Sequence, residues 1–230
     1  MRDRLKIAHC SDIHLDGDAH GSGADTRAGF ALALAHIAAQ SPDLMLLAGD
    51  LFDTNAARLE TIQWAMEALA GLAFPVVMIP GNHDCMMEGA IYRRHDFNRI
   101  PNVRLLAAET GEIAYLPGLG VAAWGKGMVD HSTRYSPLGG CPARPGDCRW
   151  YGADTDRSSP IHMREIEASA CDYLALGHHH AAMELVTDRA SAAYSGSPTD
   201  LIGRGATYVL VELAAGQAPS VAVQTITPAR

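Results

Sequence analysis

The chain has 230 residues, of which 48% are hydrophobic and 19% are charged, a composition that is typical of a folded globular protein and excludes a disordered or fibrous one. Its formal net charge of -8 disfavours a broad electrostatic contact with nucleic acid, because such binding depends on Lys and Arg neutralising phosphates. No apolar run reaches membrane-spanning length, and no signal-peptide segment follows the first residues. We therefore expect a cytoplasmic protein without a membrane partner.

The first half of the chain alternates apolar runs with helical periodicity, which predicts βαβ units and a parallel sheet. The predicted strands are at 5–10, 43–48 and 75–79, and the predicted helices are at about 26–40 and after Asn55, the expected helix cap. The second helix carries an apolar stripe of Leu59, Ile62, Met66 and Leu69. The continuous apolar character of the strand at 43–48 indicates burial on both faces.

After Asn102 the pattern changes to short strands joined by turns. The predicted strands are at 103–106, 112–116, 119–124, 173–176, 182–187, 207–213 and 220–226. One helix is predicted at about 161–170, with Ser159 and Pro160 as its cap and first position. Residues 125–160 are rich in Gly and Pro and lack periodicity, which indicates a functional loop or the loss of an element. Without repeats or a long linker, the chain is predicted to form a single domain over residues 1–230.

The cysteines are odd in number and contain no C-x-x-C pair. They are Cys10, Cys85, Cys141, Cys148 and Cys171. This pattern argues against a disulfide framework and against a structural zinc knuckle, so reduced thiols are expected.

Polar clusters follow four of the predicted strands directly. They are Ser11-Asp12-Ile13-His14, Gly49-Asp50-Leu51-Phe52-Asp53, Gly81-Asn82-His83-Asp84 and Gly177-His178-His179-His180. In extended backbone, residues two apart point the same way, so Asp12 should converge with His14, and His178 with His180. Each cluster alone fits a turn, a helix cap or a solvated loop. Together they predict a site of imidazole, carboxylate and amide ligands, which suits Mn, Fe, Zn or Ni.

The four motifs D-x-H, G-D, G-N-H-D and G-H-x-H, in this order, resemble those of the calcineurin-like metallophosphoesterase superfamily. Their context, in "IAHCSDIHLD", "LLAGDLFD", "VVMIPGNHD", "LALGHHH" and "YSGSPTDL", is most similar to the SbcD-type DNA-repair exonuclease branch. The resemblance implies an α/β fold, a two-sheet β-sandwich flanked by helices in four α/β/β/α layers. It also implies a binuclear centre of two divalent metal ions, with manganese as first choice and iron, zinc or nickel as alternatives.

The same resemblance implies a role for each matching residue. The first metal would be held by Asp12, His14 and His180, the second by Asn82 and His178, and both by the bridging Asp50. His83 would face the substrate, and Asp84 would orient His83 and favour its protonated form. Such a centre would activate a bridging hydroxide for attack on phosphorus.

One further ligand to the second metal, a His after a strand between the G-N-H-D and G-H-x-H motifs, is not found. His131 lies in a Gly/Pro-rich stretch and His162 in the first turn of a predicted helix, so neither follows a strand. The chain reads as though a strand and its ligand-bearing turn were missing. The hypothesis is that the second metal binds weakly, or is completed by water, His131, Asp154 or Asp156.

The leading functional prediction is a metal-dependent phosphoesterase that hydrolyses phosphodiesters in a nuclease-like manner. The acidic composition favours small substrates such as nucleotides, or single-stranded nucleic acid. One alternative is a phosphomonoesterase. Another is a metal-binding scaffold subunit without catalytic activity, partnering an SbcC-like ATPase. A purely structural role has no feature in its favour.

Overall fold

The computed structural model describes residues 4–17, 25–131, 135–142, 149–154 (backbone alone), 161–169, 171–186, 191–200 and 205–227. The strands are β1 Arg4–Cys10, β2 Leu44–Ala48, β3 Val76–Ile79, β4 Val103–Leu105, β5 Glu112–Leu116, β6 Val121–Gly125, β7 Arg149–Asp154, β8 Tyr173–Leu176, β9 Met183–Val186, β10 Ser191–Tyr194, β11 Thr207–Ala214 and β12 Ser220–Thr225. The helices are α1 Thr26–Ala39, α2 Leu59–Ala70, α3 Ile91–Arg94 and α4 Met163–Ala168, with a 3-10 turn at Phe97–Arg99.

The strands form two six-stranded sheets. In the first, of order β12-β11-β1-β2-β3-β4, strands β1 to β4 run parallel, and β11 pairs antiparallel with β1. In the second, of order β5-β6-β7-β8-β10-β9, strands β6, β7, β8 and β10 run parallel between antiparallel edges. This arrangement confirms the predicted two-sheet sandwich.

Strand β2 shows how the layers pack. Met45 and Leu47 belong to the core cluster formed with α1 and α2, whereas Leu44 and Leu46 belong to the cluster between the two sheets. Burial on both faces, predicted from the apolar run, is confirmed. On the outer face of the second sheet, Ile166 of α4 packs in a separate cluster with residues of β8 and β10. The layers are therefore α/β/β/α.

Two local predictions about helix starts are wrong. Asn55 does not cap α2, whose N-cap is Arg58; instead its side chain donates to Cys85 O and accepts from Ile91 N, each at 2.9 Å. Helix α4 begins at Met163 after an N-cap at His162, so the predicted start at 159–160, outside the described residues, is wrong as well. Leu59, predicted on the buried stripe of α2, is 56% exposed.

The prediction that a strand is missing from 125–160 is also wrong. Strand β7 lies between β6 and β8 and runs parallel to both. Its sequence, RWYGAD, lacks the apolar run that marked the other central strands. Strand β10, with the sequence SAAY, was missed for the same reason. Within the part of the chain that is described, no helix has the length and apolar character needed to cross a membrane.

Candidate metal centre

The loops after β1 and β2 continue the parallel pairing of their strands. Asp12 N donates to Gly49 O at 3.2 Å, Ile13 N to Asp50 O at 2.9 Å, and Leu15 N to Leu51 O at 2.9 Å. The first two polar clusters are thus held side by side at the carboxyl edge of the sheet, where ligands of open α/β sheets usually bind.

Backbone strain is concentrated in these loops. Four non-Gly residues with positive φ are Asp12 (55°), His14 (51°), Asp50 (51°) and His178 (73°), and all four were predicted ligands. This conformation costs an L-residue about 1–2 kcal/mol, and at functional sites the surrounding structure holds it in place. The assumption of extended backbone around Asp12 and His178 is therefore wrong, and these turns set where each side chain points.

Asp12, His14 and His180 come together as predicted. His14 Nε2 lies 3.3 Å from His180 Nε2, and Asp12 Oδ1 lies 3.9 Å from the first and 3.6 Å from the second. Donor atoms bound to one ion at about 2.0–2.2 Å are separated by roughly 3–3.5 Å, so the three atoms need little adjustment to share a cation. His178, by contrast, does not converge with His180: its Nδ1 lies 3.1 Å from Asn82 Oδ1.

Two buried carboxylate oxygens have no protein partner. Among the described side chains, the buried polar atoms without a hydrogen bond are His9 Nε2, Asp12 Oδ1 and Asp50 Oδ2. The other Asp50 oxygen accepts from His83 N at 2.8 Å. A buried carboxylate oxygen left unpaired is strongly unfavourable, and cation binding is the usual compensation. The residues present therefore fit a divalent metal ion.

Glycine is required where the third loop meets Asp50. A Cβ placed on Gly81 would lie 2.2 Å from Asp50 Oδ1 and 2.4 Å from Asp50 N, distances that no side chain tolerates. The Gly of the G-N-H-D motif therefore permits the close approach that brings Asn82 and His83 to the bridging position predicted for Asp50.

The carboxyl groups of the site are held in an environment that disfavours their charge. Burial raises the pKa of Asp12 to about 7, against hydrogen bonds from Ser11 and the His178 backbone. Burial also raises the pKa of Asp50 well above its usual value, with further contributions from the Asp84 and Asp12 carboxylates. Buried negative groups at such short range repel one another unless a positive charge lies between them. The electrostatics thus favour a cation of high charge.

The predicted contact between Asp84 and His83 is wrong. The fully buried Asp84 carboxylate accepts from Gly81 N at 2.7 Å, Phe52 N at 3.2 Å and the Tyr92 hydroxyl at 2.6 Å. It joins the loop after β3 to the loop after β2, and burial raises its pKa. Its hydrogen-bonding capacity is used in holding the loops together, so Asp84 positions the motif and not the His83 ring.

Asp53 takes the place predicted for Asp84. His83 Nδ1 donates to Asp53 O at 2.8 Å and lies 3.6 Å from Asp53 Oδ1, which in turn lies 3.1 Å from His14 Nδ1. Asp53, His14 and His83 could hold an ion by themselves, but His14 uses its other ring nitrogen in the first cluster. Asp53 therefore fits better as the group that orients both rings. The sequence signal was the second Asp of "GDLFD", which also fits a helix cap.

Hydroxyl groups between β10 and β11 support the first loop. Ser197 Oγ donates to Asp12 O at 2.7 Å, Thr199 Oγ1 donates to Ile13 O at 3.0 Å, and Ser195 Oγ lies 2.8 Å from Ser11 Oγ. All three hydroxyl-bearing residues are buried. The "YSGSPTDL" stretch thus fixes the strained backbone that carries Asp12, a role that was not predicted from the sequence.

Fold and site together define an α/β sandwich protein with a cluster of nitrogen and oxygen ligands at its strand ends, the chemistry of a metal-dependent hydrolase. The family model "Calcineurin-like phosphoesterase" matches residues 5–182. The chain belongs to this family, whose members use divalent metal ions. The family resemblance stated from the motifs is confirmed.

Curated relatives match a shorter part of the chain. It is 36% identical over 83 residues to a probable cyclic nucleotide phosphodiesterase of Pseudoalteromonas sp., an alignment covering 35% of this chain and 32% of the relative. It is 34% identical over 91 residues to the glycerophosphodiester phosphodiesterase GpdQ of Enterobacter lignolyticus (36% and 32%). It is 34% identical over 86 residues to a subunit of the nuclease SbcCD of Staphylococcus epidermidis (35% and 23%). The matches thus span about a third or less of each relative.

Solved structures share the fold over nearly the whole chain. The structure of TT1561 of Thermus thermophilus superposes with a TM-score of 0.64 at 10% identity and covers 97% of this chain and 99% of that one. A putative 5'-nucleotidase from Staphylococcus aureus gives 0.62 at 14% identity, covering 99% and 55%. At such identities the likeness concerns the fold alone.

Proposed function

We propose that this protein hydrolyses phosphodiesters in a nuclease-like manner at a centre of two divalent metal ions. The observation that carries the proposal is the approach of Asp12 Oδ1, His14 Nε2 and His180 Nε2 to within 3.3–3.9 Å of one another. Because the donors are imidazole nitrogens and carboxylate or amide oxygens, manganese is the first choice, with iron, zinc or nickel as alternatives.

Each predicted ligand has a role in this proposal. Asp12, His14 and His180 hold the first ion, Asn82 and His178 hold the second, and Asp50 contacts both. When bound, the ions supply an acidified water nucleophile and neutralise charge on the phosphoryl oxygens. His83 is fixed through Nδ1, so its Nε2, which has no partner among the described residues, can donate a proton to the leaving oxygen. Asp53 keeps His83 and His14 in register.

The substrate class and partner rest on the relatives. The names of three curated relatives include two phosphodiesterases and one nuclease subunit, which favours a phosphodiester over a monoester. With a net charge of -8, small nucleotides or single-stranded nucleic acid are the better-matched substrates. An SbcC-like ATPase is the proposed partner. We also propose that residues 1–230 form one domain, because loops from both sheets contribute ligands.

Substrate panels test the proposed activity. In manganese buffer, bis(p-nitrophenyl) phosphate and single-stranded DNA should be hydrolysed, and p-nitrophenyl phosphate should be a poor substrate. Turnover of the monoester alone would remove the phosphodiesterase proposal. No turnover of any substrate, together with a stoichiometric complex with an SbcC-like ATPase, would favour the scaffold role.

Asp53→Asn tests the positioning of His83. The variant removes the charge near both rings but keeps the backbone carbonyl that accepts from His83 Nδ1. We expect kcat on bis(p-nitrophenyl) phosphate to fall about 10- to 100-fold with little change in KM. Asp96→Asn is the matched control, because Asp96 caps a distant 3-10 turn and Asn caps equally well. A variant with unchanged kcat would remove Asp53 from the mechanism.

Strand β7 supplies a candidate for the ligand that the sequence seemed to lack. Asp154 ends β7 and pairs in register with Leu176, two residues before His178. A side chain that follows β7 at this point is at the same carboxyl edge as the G-H-x-H motif. We propose that Asp154, in place of a His, completes the second metal site.

Manganese titration tests this assignment. Calorimetry of the metal-free protein should resolve two binding events, of which the second is the weaker. Asp154→Ala should weaken the second event at least about tenfold and leave the first in place, whereas Asp156→Ala and His131→Ala serve as controls. A selective loss in either control would move the ligand to that residue, and two tight events in Asp154→Ala would show that no carboxylate is needed.

A further inference from the structure

Two thiols lie together on the second sheet, away from the metal centre. Cys171 precedes β8 and is 4% exposed, in a cluster with Ala122 and Trp124 against which the half-buried Cys141 packs. The two thiols are hydrogen-bonded to each other, and Cys141 Sγ also donates to Pro142 O at 3.9 Å. The described cysteines are thiols, with no disulfide among them. Nothing in the proposed phosphoesterase mechanism uses this pair.

A cavity gives access to one of the two thiols. It has a volume of about 390 Å³ and lies between α4 and the residues that follow Lys126, with Cys141, Pro142, Glu165 and Ser169 in its lining. Cys171 is not among the lining residues. The Lys126 ammonium anchors the cavity wall, since it donates to Ser136 O at 2.8 Å and Gly139 O at 3.1 Å. A small oxidant can therefore reach Cys141 first and Cys171 only through it.

We propose that Cys141 and Cys171 form a reversible redox pair that a low-molecular-weight disulfide oxidises to an intramolecular disulfide. Cys141 loses its proton and attacks the external disulfide, forming a mixed disulfide and releasing one thiolate. Cys171 then loses its proton and attacks the Cys141 sulfur, which displaces the second thiolate. The two cysteine sulfurs are oxidised by two electrons in total, and the external disulfide is reduced to two thiols.

The order of the two attacks follows from the surroundings of the sulfurs. The hydrogen bond with Cys141 and burial both raise the pKa of Cys171, so its thiolate is scarce until the first sulfur has reacted. Because only thiolates attack disulfides, the rate should rise about tenfold per pH unit near neutrality. The product closes a loop of about 30 residues that contains β7 and α4, which removes entropy from the unfolded chain.

Incubation of the full chain with glutathione disulfide at pH 8, followed by mapping, tests the pair. Cleavage before aspartates separates Cys141 from Cys148 at Asp147 and releases Cys171 in a peptide that begins at Asp156. We expect a cross-link between peptides 130–146 and 156–171, loss of two hydrogens, reversal by dithiothreitol, and a Tm about 5–10 °C higher than that of the reduced protein.

Three variants make the outcome decisive. Cys148→Ser should form the same cross-link as the wild type. Cys171→Ser should stop at a glutathione adduct on Cys141, and Cys141→Ser should form neither product. A Cys141–Cys148 disulfide in the wild type, a stable adduct on Cys141 with Cys171 unreacted, or no reaction would each overturn the proposal. The wild-type map decides the question even if a variant fails to fold.

Discussion

Asp50→Ala should abolish phosphoester hydrolysis and leave the fold intact. Asp50 is the proposed bridge between the ions, and its Oδ2 is buried without a protein partner. Loss of the bridge removes the shared position that aligns the nucleophile with the phosphorus, so kcat/KM for bis(p-nitrophenyl) phosphate should fall at least about 1,000-fold. Circular dichroism should show native secondary structure. Retained turnover would overturn the bridging role.

Asp50→Asn separates the loss of charge from the loss of shape. Asn tolerates the positive φ of 51° at this position, whereas Ala does so less well, and its amide oxygen can still accept from His83 N. We expect the activity to be lost as in the Ala variant. In chelator at pH 8, however, the Asn variant should unfold at a higher temperature than the wild type, because an unpaired buried carboxylate is no longer present.

The metal dependence of the melting temperature provides the control for Asp50→Asn. Saturating manganese should raise the Tm of the wild type, since a ligand that binds only the folded state stabilises it. The same addition should raise the Tm of Asp50→Asn much less. A variant less stable than the wild type in chelator, yet equally stabilised by manganese, would show that Asp50 serves the fold and not the ions.

The parallel half of the first sheet could be predicted because its signal is local. Buried strands such as β2 and β3 are continuous apolar runs, and each is followed by polar residues that a turn alone does not need. The ligand set of the first cluster followed from the same pattern. The extended-backbone argument for it was incorrect, however, because Asp12 and His14 both lie at positive φ. The residue types were informative, whereas their directions depended on turns.

Features that depend on distant pairing were not predictable. Strand β7 has too few apolar residues to be recognised, and it is defined by its register with β6 and β8. Asp53 and Asp84 were assigned the wrong tasks because both lie near His83 in sequence or space. Which carboxylate faces the ring depends on Tyr92 and Phe52 hydrogen-bonding to Asp84. Such choices are made by tertiary packing.

His9 should make the metal-bound protein sensitive to acid. It lies in β1, fully buried between the sheets, with Nδ1 2.8 Å from the Tyr173 hydroxyl and Nε2 without a partner. Burial lowers its pKa from 6.5 to about 3. The unfolded chain therefore binds a proton below pH 6.5 that the folded chain does not bind until about pH 3. Stability is lost as the pH falls through this window, by about 1.4 kcal/mol per pH unit.

The site carboxylates act in the opposite direction when no metal is present. The pKa of Asp12 is raised to about 7, so the folded apoprotein binds a proton that the unfolded chain takes up only near pH 3.8, and stability is gained as the pH falls. In the apoprotein this gain and the loss at His9 largely cancel between pH 6.5 and 4. A bound cation keeps Asp12 ionised, which leaves the His9 contribution uncompensated.

His9→Gln isolates the contribution of the imidazole. Gln does not titrate, and its amide can still hydrogen-bond the Tyr173 hydroxyl. In urea unfolding of the manganese-loaded protein at pH 7, 6 and 5, the free energy of unfolding of the variant should fall less steeply than that of the wild type, by about 1 kcal/mol per pH unit. His36→Gln, on the surface of α1, should follow the wild type. Parallel curves for wild type and His9→Gln would mean that His9 is protonated in the folded protein, because only a group with different proton affinity in the two states can tilt the curve.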